Sequence, residues 1–330
     1  MLFGVLILGS LVVLVVAGIG GLAIGSHPVP VGSVVEAITD YDPTNNDHLI
    51  VVKSRVPRLV LGIVVGLALG MAGALMQAVT RNPLAEPGLL GVNAGAAFAV
   101  VIAIGYLGVV TVGGYLWFAF AGAAISSVVV YLLGTAHRSQ ATPVRMALAG
   151  AAVSVLLAAL TNSLLLSNQA AFNRFRYWAV GSLQGRDLEV TTTVLPFVAI
   201  GVVITLLLIR PLNAVALGED ASRALGVNPA LTRAAAALAV VLLAGGATAA
   251  AGPIGFVGLA APHIVRALVG PDQRLLLPAV LVVAPAFLVA ADTLGRWVIA
   301  PGELQTGIAA AILGGPVFVM LVRSRRMASL

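Results

Sequence analysis

The sequence contains no cysteine, a single lysine (Lys53) and few charges: 9 % of its 330 residues are Asp, Glu, Lys or Arg. Aromatic residues are scarce as well, at 5 %. Without cysteine there is no disulfide, no thiolate nucleophile and no thiolate-bound metal. The lone lysine sits between Val52 and Ser54. A P-loop needs Gly-Lys-Ser/Thr so that its lysine reaches the terminal phosphates. The chain therefore cannot hydrolyse ATP by that route. The four histidines, His27, His48, His137 and His263, are far apart, with no pair at metal-ligand spacing. The basic residues are scattered without interleaved aromatics, which argues against nucleic acid. A soluble chain carries about 25 % charged residues. Eighteen basic and twelve acidic side chains could not cover the surface of a soluble protein of this size, and so apolar a chain is not disordered.

What is abundant is apolar: hydrophobic residues make up 60 % of the chain, and there are 37 glycines besides. The expectation is an all-α integral membrane protein. A helix needs about 20 apolar residues to cross a bilayer. Ten segments qualify: 2–25, 57–80, 92–108, 114–135, 142–166, 190–209, 230–250, 257–269, 275–295 and 304–322. Gly113-Gly114 is the expected break between the third and fourth, and 257–269 is short enough to be a partial span. Met1 to Gly25 lacks the basic start of a secretory signal and is read as a retained first span.

Ten spans place both termini on one side. Eleven basic residues then fall on that side and seven on the other, whose long polar loop, 26–54, holds Glu36, Asp40, Asp42 and Asp47. Basic loops favour the cytoplasm, so both termini are expected there. Gly62, Gly66, Gly70 and Gly73 form a small-residue ridge suited to close helix packing. Residues 58–100 and 233–275 both run as an Ala/Gly-rich span, a Pro-Gly break and a short apolar helix, in opposite orientations, as transporter repeats do.

Three links stand out. In 210–233, Gly218 ends a first short turn, Glu219 and Asp220 begin a second where carboxylates suit the helix dipole, Gly226 ends it, and Asn228-Pro229 opens the next span. This reads as a pair of short helices: a structured connector or a docking knob for a cytoplasmic partner. Arg55-Val56-Pro57-Arg58 opens the second span with two cations that oppose its dipole. Snorkelling at the interface is one explanation. The other, with Arg296 as a third cation, is docking of acidic groups on an external partner. In Arg81–Gly91, Pro83, Pro87 and Gly88 break the helix, and Gly252–His263 holds a second break; such backbone is tolerated only inside protein or beside a water-filled path. Asp292 is the one acid placed inside a span. A proton-coupled carrier needs more, which argues against an ion-coupled secondary carrier. A scaffold or sensor lacks support because no sizeable soluble domain is present.

These segments carry a resemblance. Arg55-Val56-Pro57-Arg58, Asn82-Pro83-Leu84-Ala85-Glu86-Pro87-Gly88-Leu89-Leu90-Gly91, Trp178 with Gly181-Ser182-Leu183, Ala216-Leu217-Gly218-Glu219, Gly252-Pro253-Ile254-Gly255-Phe256-Val257-Gly258-Leu259 with Pro262-His263, and Gly302-Glu303-Leu304 with Gly307 occur in order along the chain. In these the chain resembles the FecCD/cobalamin-type permeases, the membrane subunits of ABC importers for ferric siderophores, haem and cobalamin. The resemblance implies a type II importer fold of ten spans in the bacterial cytoplasmic membrane, paired as a homodimer or close heterodimer, with the pathway at the dimer interface. It implies two cytoplasmic ATPase subunits, which would carry the ATP and magnesium, and one extracytoplasmic binding protein; no cofactor is implied for this chain. Gly218, Glu219, Asp220, Ala221 and Arg223 would meet the ATPase, and Arg55, Arg58 and Arg296 the binding protein. Asn82, Pro83 and Leu84, with Thr142 and Pro143, would lie near the inner gate, and the fifth span with Asn162, Ser163 and Ser167 along the path. That span offers no metal ligand, which suits a chelated cargo, most simply a ferric siderophore, and not a bare ion.

Overall fold

A computed structural model describes residues 2–109, 111–135 and 143–323. Among the described residues there are α-helices, one π turn and one 3-10 turn, and no strand. In chain order the α-helices are α1 (Leu2–Ala23), α2 (Val31–Thr39), α3 (Asn46–Ile50), α4 (Val56–Thr80), α5 (Val92–Gly105), α6 (Val112–Thr135), α7 (Pro143–Ser167), α8 (Gln169–Ala179), α9 (Leu188–Leu207), α10 (Ile209–Ala216), α11 (Glu219–Ala224), α12 (Pro229–Ala251), α13 (Val257–Val269), α14 (Gln273–Val298) and α15 (Thr306–Arg323).

Seven helical stretches are long and apolar enough to span a membrane, the second of them running from Asn46 through the π turn to Thr80, and three shorter apolar helices begin at Val92, Val257 and Thr306. Together they correspond to the ten segments read from the sequence. One boundary differs. The third and fourth segments part at 106–111, where Gly108 adopts a left-handed φ of 68°, while Gly113 and Gly114 lie within α6. Glycine is the residue that reaches that φ without strain.

The core is built around α4, α12 and α14, whose buried faces carry Leu61, Met71, Leu75, Leu243, Leu276 and Leu288. The glycine ridge of α4 explains how closely these helices approach. A Cβ on Gly70 would sit 2.2 Å from the Ala284 methyl of α14, and one on Gly73 would sit 2.0 Å from the Gly258 carbonyl oxygen of α13.

The two breaks produce two half-length helices. α5 has 14 residues and α13 has 13, so each covers only about 20 Å of a hydrocarbon layer roughly 30 Å thick. Each starts beside the far half of the long helix of the other repeat. The Gln77 side chain, late in α4, donates to the carbonyl of Gly258 (3.1 Å), the second residue of α13. Thr248, late in α12, donates to Asn93 (3.0 Å), the second residue of α5. The weak internal likeness of 58–100 and 233–275 thus has a reciprocal structural counterpart.

The bundle has two distinct ends. One gathers the C-terminal end of α1, the start of α4, the end of α14 and residues 299–306; it is called the arginine end below. The opposite, short-helix end gathers α10, α11 and the starts of α12 and α14. There Arg81 donates to the Val215 carbonyl, and Asn213 bridges to Asp272 (2.6 Å) and the Gln273 amide (3.0 Å).

Candidate functional sites at the two ends of the bundle

At the arginine end the structure brings Arg55, Arg58 and Arg296 together, but it buries them. Their exposures are 6 %, 6 % and 5 %. Arg58 forms a bidentate pair with Asp292 (both contacts 2.9 Å) and reaches Glu303 at 2.6 Å. Asp292 also accepts from the Thr306 hydroxyl (2.6 Å) and lies 3.3 Å from Arg296. Arg296 donates to the carbonyls of Gly21 (2.8 Å) and Ile24 (3.1 Å), and Arg55 to those of Leu22 (2.6 Å) and His27. Those carbonyls belong to the last turn of α1 and its exit, the groups a helix C-terminus leaves unpaired and where cations are favoured.

This corrects the expectation of a surface cation triad. The cost of two cations at the start of α4 is met within the chain, by two carboxylates and the frayed end of α1. An external carboxylate would have to displace Asp292 or Glu303 from Arg58. The same network answers the question of Asp292: it is a bonded strut between α4 and α14, not a free coupling carboxylate.

Scattered motif segments converge beside this network. The Ser182 amide donates to the Ala251 carbonyl (2.7 Å), the Gly307 amide to that of Gly181 (3.0 Å), and the Leu183 amide to the Thr306 hydroxyl (3.3 Å). Gly252 and Gly181 adopt φ of 76° and 74° at this junction. A Cβ on Gly307 would sit 2.0 Å from the Val180 carbonyl oxygen.

At the short-helix end the local reading of 210–233 holds. α10 stops at Ala216, Gly218 turns the chain at φ 110°, α11 runs from Glu219 to Ala224, and Gly226 turns it again at φ 77°. Asn228 then accepts from the amides of Ala230 (3.0 Å) and Leu231 (3.2 Å) to start α12. Glu219 does more than face the dipole. It pairs with Arg233 of α12 at 2.6 Å and with Arg223 at 3.5 Å, pinning α11 to the next span. Asp220 and Arg223 face solvent, and Ala221 is half-buried. Sequence reasoning missed three exposed leucines around this pair, Leu217, Leu225 and Leu231, each more than 60 % exposed. Uncharged leucines inside a polar link were the available signal.

Among the other expected positions, Asn82 accepts from the Leu84 amide (2.9 Å) in a tight turn after α4, with Pro83 between them. This link touches α7 through Leu89: a Cβ on Gly150 would lie 1.8 Å from the Leu89 carbonyl oxygen. Pro143 begins α7, and Thr142 lies outside the described residues. Asn162 and Ser163 are exposed on α7, and Ser167 hydrogen-bonds the Tyr106 hydroxyl (2.8 Å) near its end. No group of three or more His, Asp or Glu that could hold a metal ion occurs among the described residues.

With this geometry in view, comparisons with known proteins are informative. The FecCD transport family matches residues 11–324. The chain is 44 % identical over 317 residues to the ferric enterobactin transport system permease protein FepD of Escherichia coli, covering 96 % of this chain and 94 % of that one. It is 41 % identical to the probable siderophore transport system permease protein YfiZ of Bacillus subtilis, covering 88 % and 87 %. It is 39 % identical to the cobalamin import system permease protein BtuC of Halobacterium salinarum, covering 86 % and 76 %. Among solved structures, one described as a metal-chelate type ABC transporter in an inward-facing conformation superposes with a TM-score of 0.84 at 26 % identity, covering 98 % of this chain and 99 % of that one.

Proposed function

We propose a function from one premise: the chain belongs to the FecCD transport family. It is the membrane-spanning permease subunit of a metal-chelate type ABC importer, and its cargo is a ferric siderophore. The observation that carries the siderophore reading is the 44 % identity, over nearly the whole of both chains, to the ferric enterobactin permease of Escherichia coli. The exposed polar positions of α7, Asn162 and Ser163, offer hydrogen bonds and no metal-coordinating group, which suits a cargo whose iron is already chelated. Cobalamin import by the same architecture is the second reading, favoured by the 39 % identity to a cobalamin permease.

The chain works as one of a pair, with α7 along the path between the two copies. The α10–α11 pair, with Gly218, Glu219, Asp220, Ala221 and Arg223, is the seat for a separate ATPase on the cytoplasmic face. Leu217, Leu225 and Leu231 supply its apolar contact. ATP binding to that partner favours one of two arrangements of the permease, and this differential affinity drives alternate access. A binding protein delivers cargo at the arginine end.

Uptake of radiolabelled iron supplied as a panel of siderophores tests this, in iron-starved cells with and without the chain. Loss of uptake for one chelate upholds the proposal and names the cargo. Unchanged uptake of every siderophore, with loss of cobalamin uptake, selects the second reading.

A further inference from the structure

The half-length of α5 leaves a space. Because α5 begins at Val92, no helix fills the bundle between that point and the short-helix end. Residues 87–90 roof this space, and α4, α6, α7 and α12 wall it. The result is a cavity of about 610 Å3, within the ~300–1,000 Å3 of sites that hold small molecules. Its walls are mostly apolar, formed by Leu75, Met76 and Val79 of α4, Met146 of α7, and Ala236 and Val240 of α12, with Thr80 and Tyr131 as polar side chains among them. From Pro229 at its mouth to Val240 it runs about 16 Å into the bundle.

Among the described residues, every charged residue that lines it sits at one place, the rim beside α11: Glu219, Arg223 and Arg233. One carboxylate serves both arginines, so the rim carries an excess of positive charge. Asp220 does not line the cavity, and the exposed Arg145 adjoins its lining residue Met146. The rim lies where α6, α7 and α12 reach the short-helix end. Met146 faces this cavity while Val144 and Leu148 face outward, so it lies behind α7, away from the face that carries Asn162.

We propose that this cavity holds one acyl chain of an anionic phospholipid, whose phosphate is held by Arg233 at the rim. A mostly apolar shaft of this depth matches a hydrocarbon chain. Basic sites between membrane helices at that level bind anionic headgroups. A zwitterionic lipid would place its cation against the arginines and bind less well. The inference stands on the cavity and on the membrane character of the chain, independently of the transport reading.

Native mass spectrometry of the full chain, released from nanodiscs of equal phosphatidylglycerol and phosphatidylcholine, tests it. The expected result is one retained lipid per chain, enriched about fivefold in phosphatidylglycerol, as one arginine–headgroup contact of ~1 kcal/mol implies. Arg233→Gln brings the ratio toward one, and Ala237→Trp, which fills the shaft, removes the retained lipid of both kinds. No retained lipid, an equal ratio in the unmodified chain, or retention unchanged by both substitutions overturns the proposal. The ratio in the unmodified chain and in Arg233→Gln decides the matter even if Ala237→Trp fails to fold.

Discussion

The two ends of this bundle handle charge in opposite ways. At the arginine end three guanidiniums are buried and shared among Asp292, Glu303 and the last carbonyls of α1. At the short-helix end the charges of α11 sit at the rim of the fold, where Glu219 joins Arg223 and Arg233 and Asp220 faces solvent, although Arg266 in the last turn of α13 keeps its guanidinium buried. Buried charge of the first kind locks helices in one register, because removing a partner strands the other in a low-dielectric interior. Displayed charge of the second kind adds little stability. The arginine end is therefore built as a strut, and the short-helix end as a surface.

Three variants would break or sharpen that contrast. The largest effect is expected from Arg58→Ala, which removes the bidentate partner of Asp292 and the partner of Glu303; loss of a partner in a buried pair costs about 3–5 kcal/mol. Thermal unfolding of the purified chain should show a large drop in melting temperature. Raising the salt should not mimic it, since buried pairs are poorly screened. A loss below about 1 kcal/mol, the range of surface pairs, would erase the distinction between the ends.

A smaller effect is expected at the short-helix end from Asp272→Asn. Asp272 caps α14 through the Arg274 amide (2.9 Å) and takes a second bond from the Asn213 side chain. These two bonds hold its carboxyl below the ordinary carboxylate range. A depressed folded-state pKa means the ionised cap contributes stability above the ordinary carboxylate pKa of ~3.9. That contribution is lost as pH falls through the lower folded value. Asparagine also caps, so the substitution should cost less than about 1 kcal/mol near neutral pH, with the difference between the two proteins closing in strong acid. A penalty that stays constant down to pH 2 would remove the ionised cap as its cause.

The smallest effect on stability, and the largest on association, is expected from Glu219→Lys with Asp220→Lys. Exposed and half-exposed pairs contribute up to about 1 kcal/mol, so the fold should persist. Co-purification of the ATPase should fall sharply. Undiminished co-purification, with the fold intact, would overturn the proposal that the short helices seat the ATPase.

Much of this was legible from the sequence. The ten apolar segments and the short-helix pair are local matters: hydrophobic runs of span length, glycine at positions that need left-handed backbone, and Asn228-Pro229 at a helix start. The glycine ridge of α4 was readable as a packing face, though its partners, Ala284 and Gly258, were not. The role of Arg55, Arg58 and Arg296 was not legible either. Their partners lie 33, 234 and 275 residues away, and no local pattern says that the end of α1 will return to them. The separation of α5 from α6 was misplaced by a few residues because Gly108 and Gly113-Gly114 are equally good breakers by composition.

The sequence by itself determined that this chain lives in a membrane, that it is helical, that its helices break at Pro83–Gly88 and Gly252–Pro253, and that any ATP chemistry by a P-loop belongs elsewhere. Those properties follow from composition and from neighbours within a few residues. Only the tertiary structure decided that the arginines are internal struts, that the two broken helices bond reciprocally through Gln77 and Thr248, and that a half-length α5 leaves a cavity beneath it. The reason is the same in each case. Burial and pairing depend on which distant segments meet, and that is set by the packing of the whole bundle.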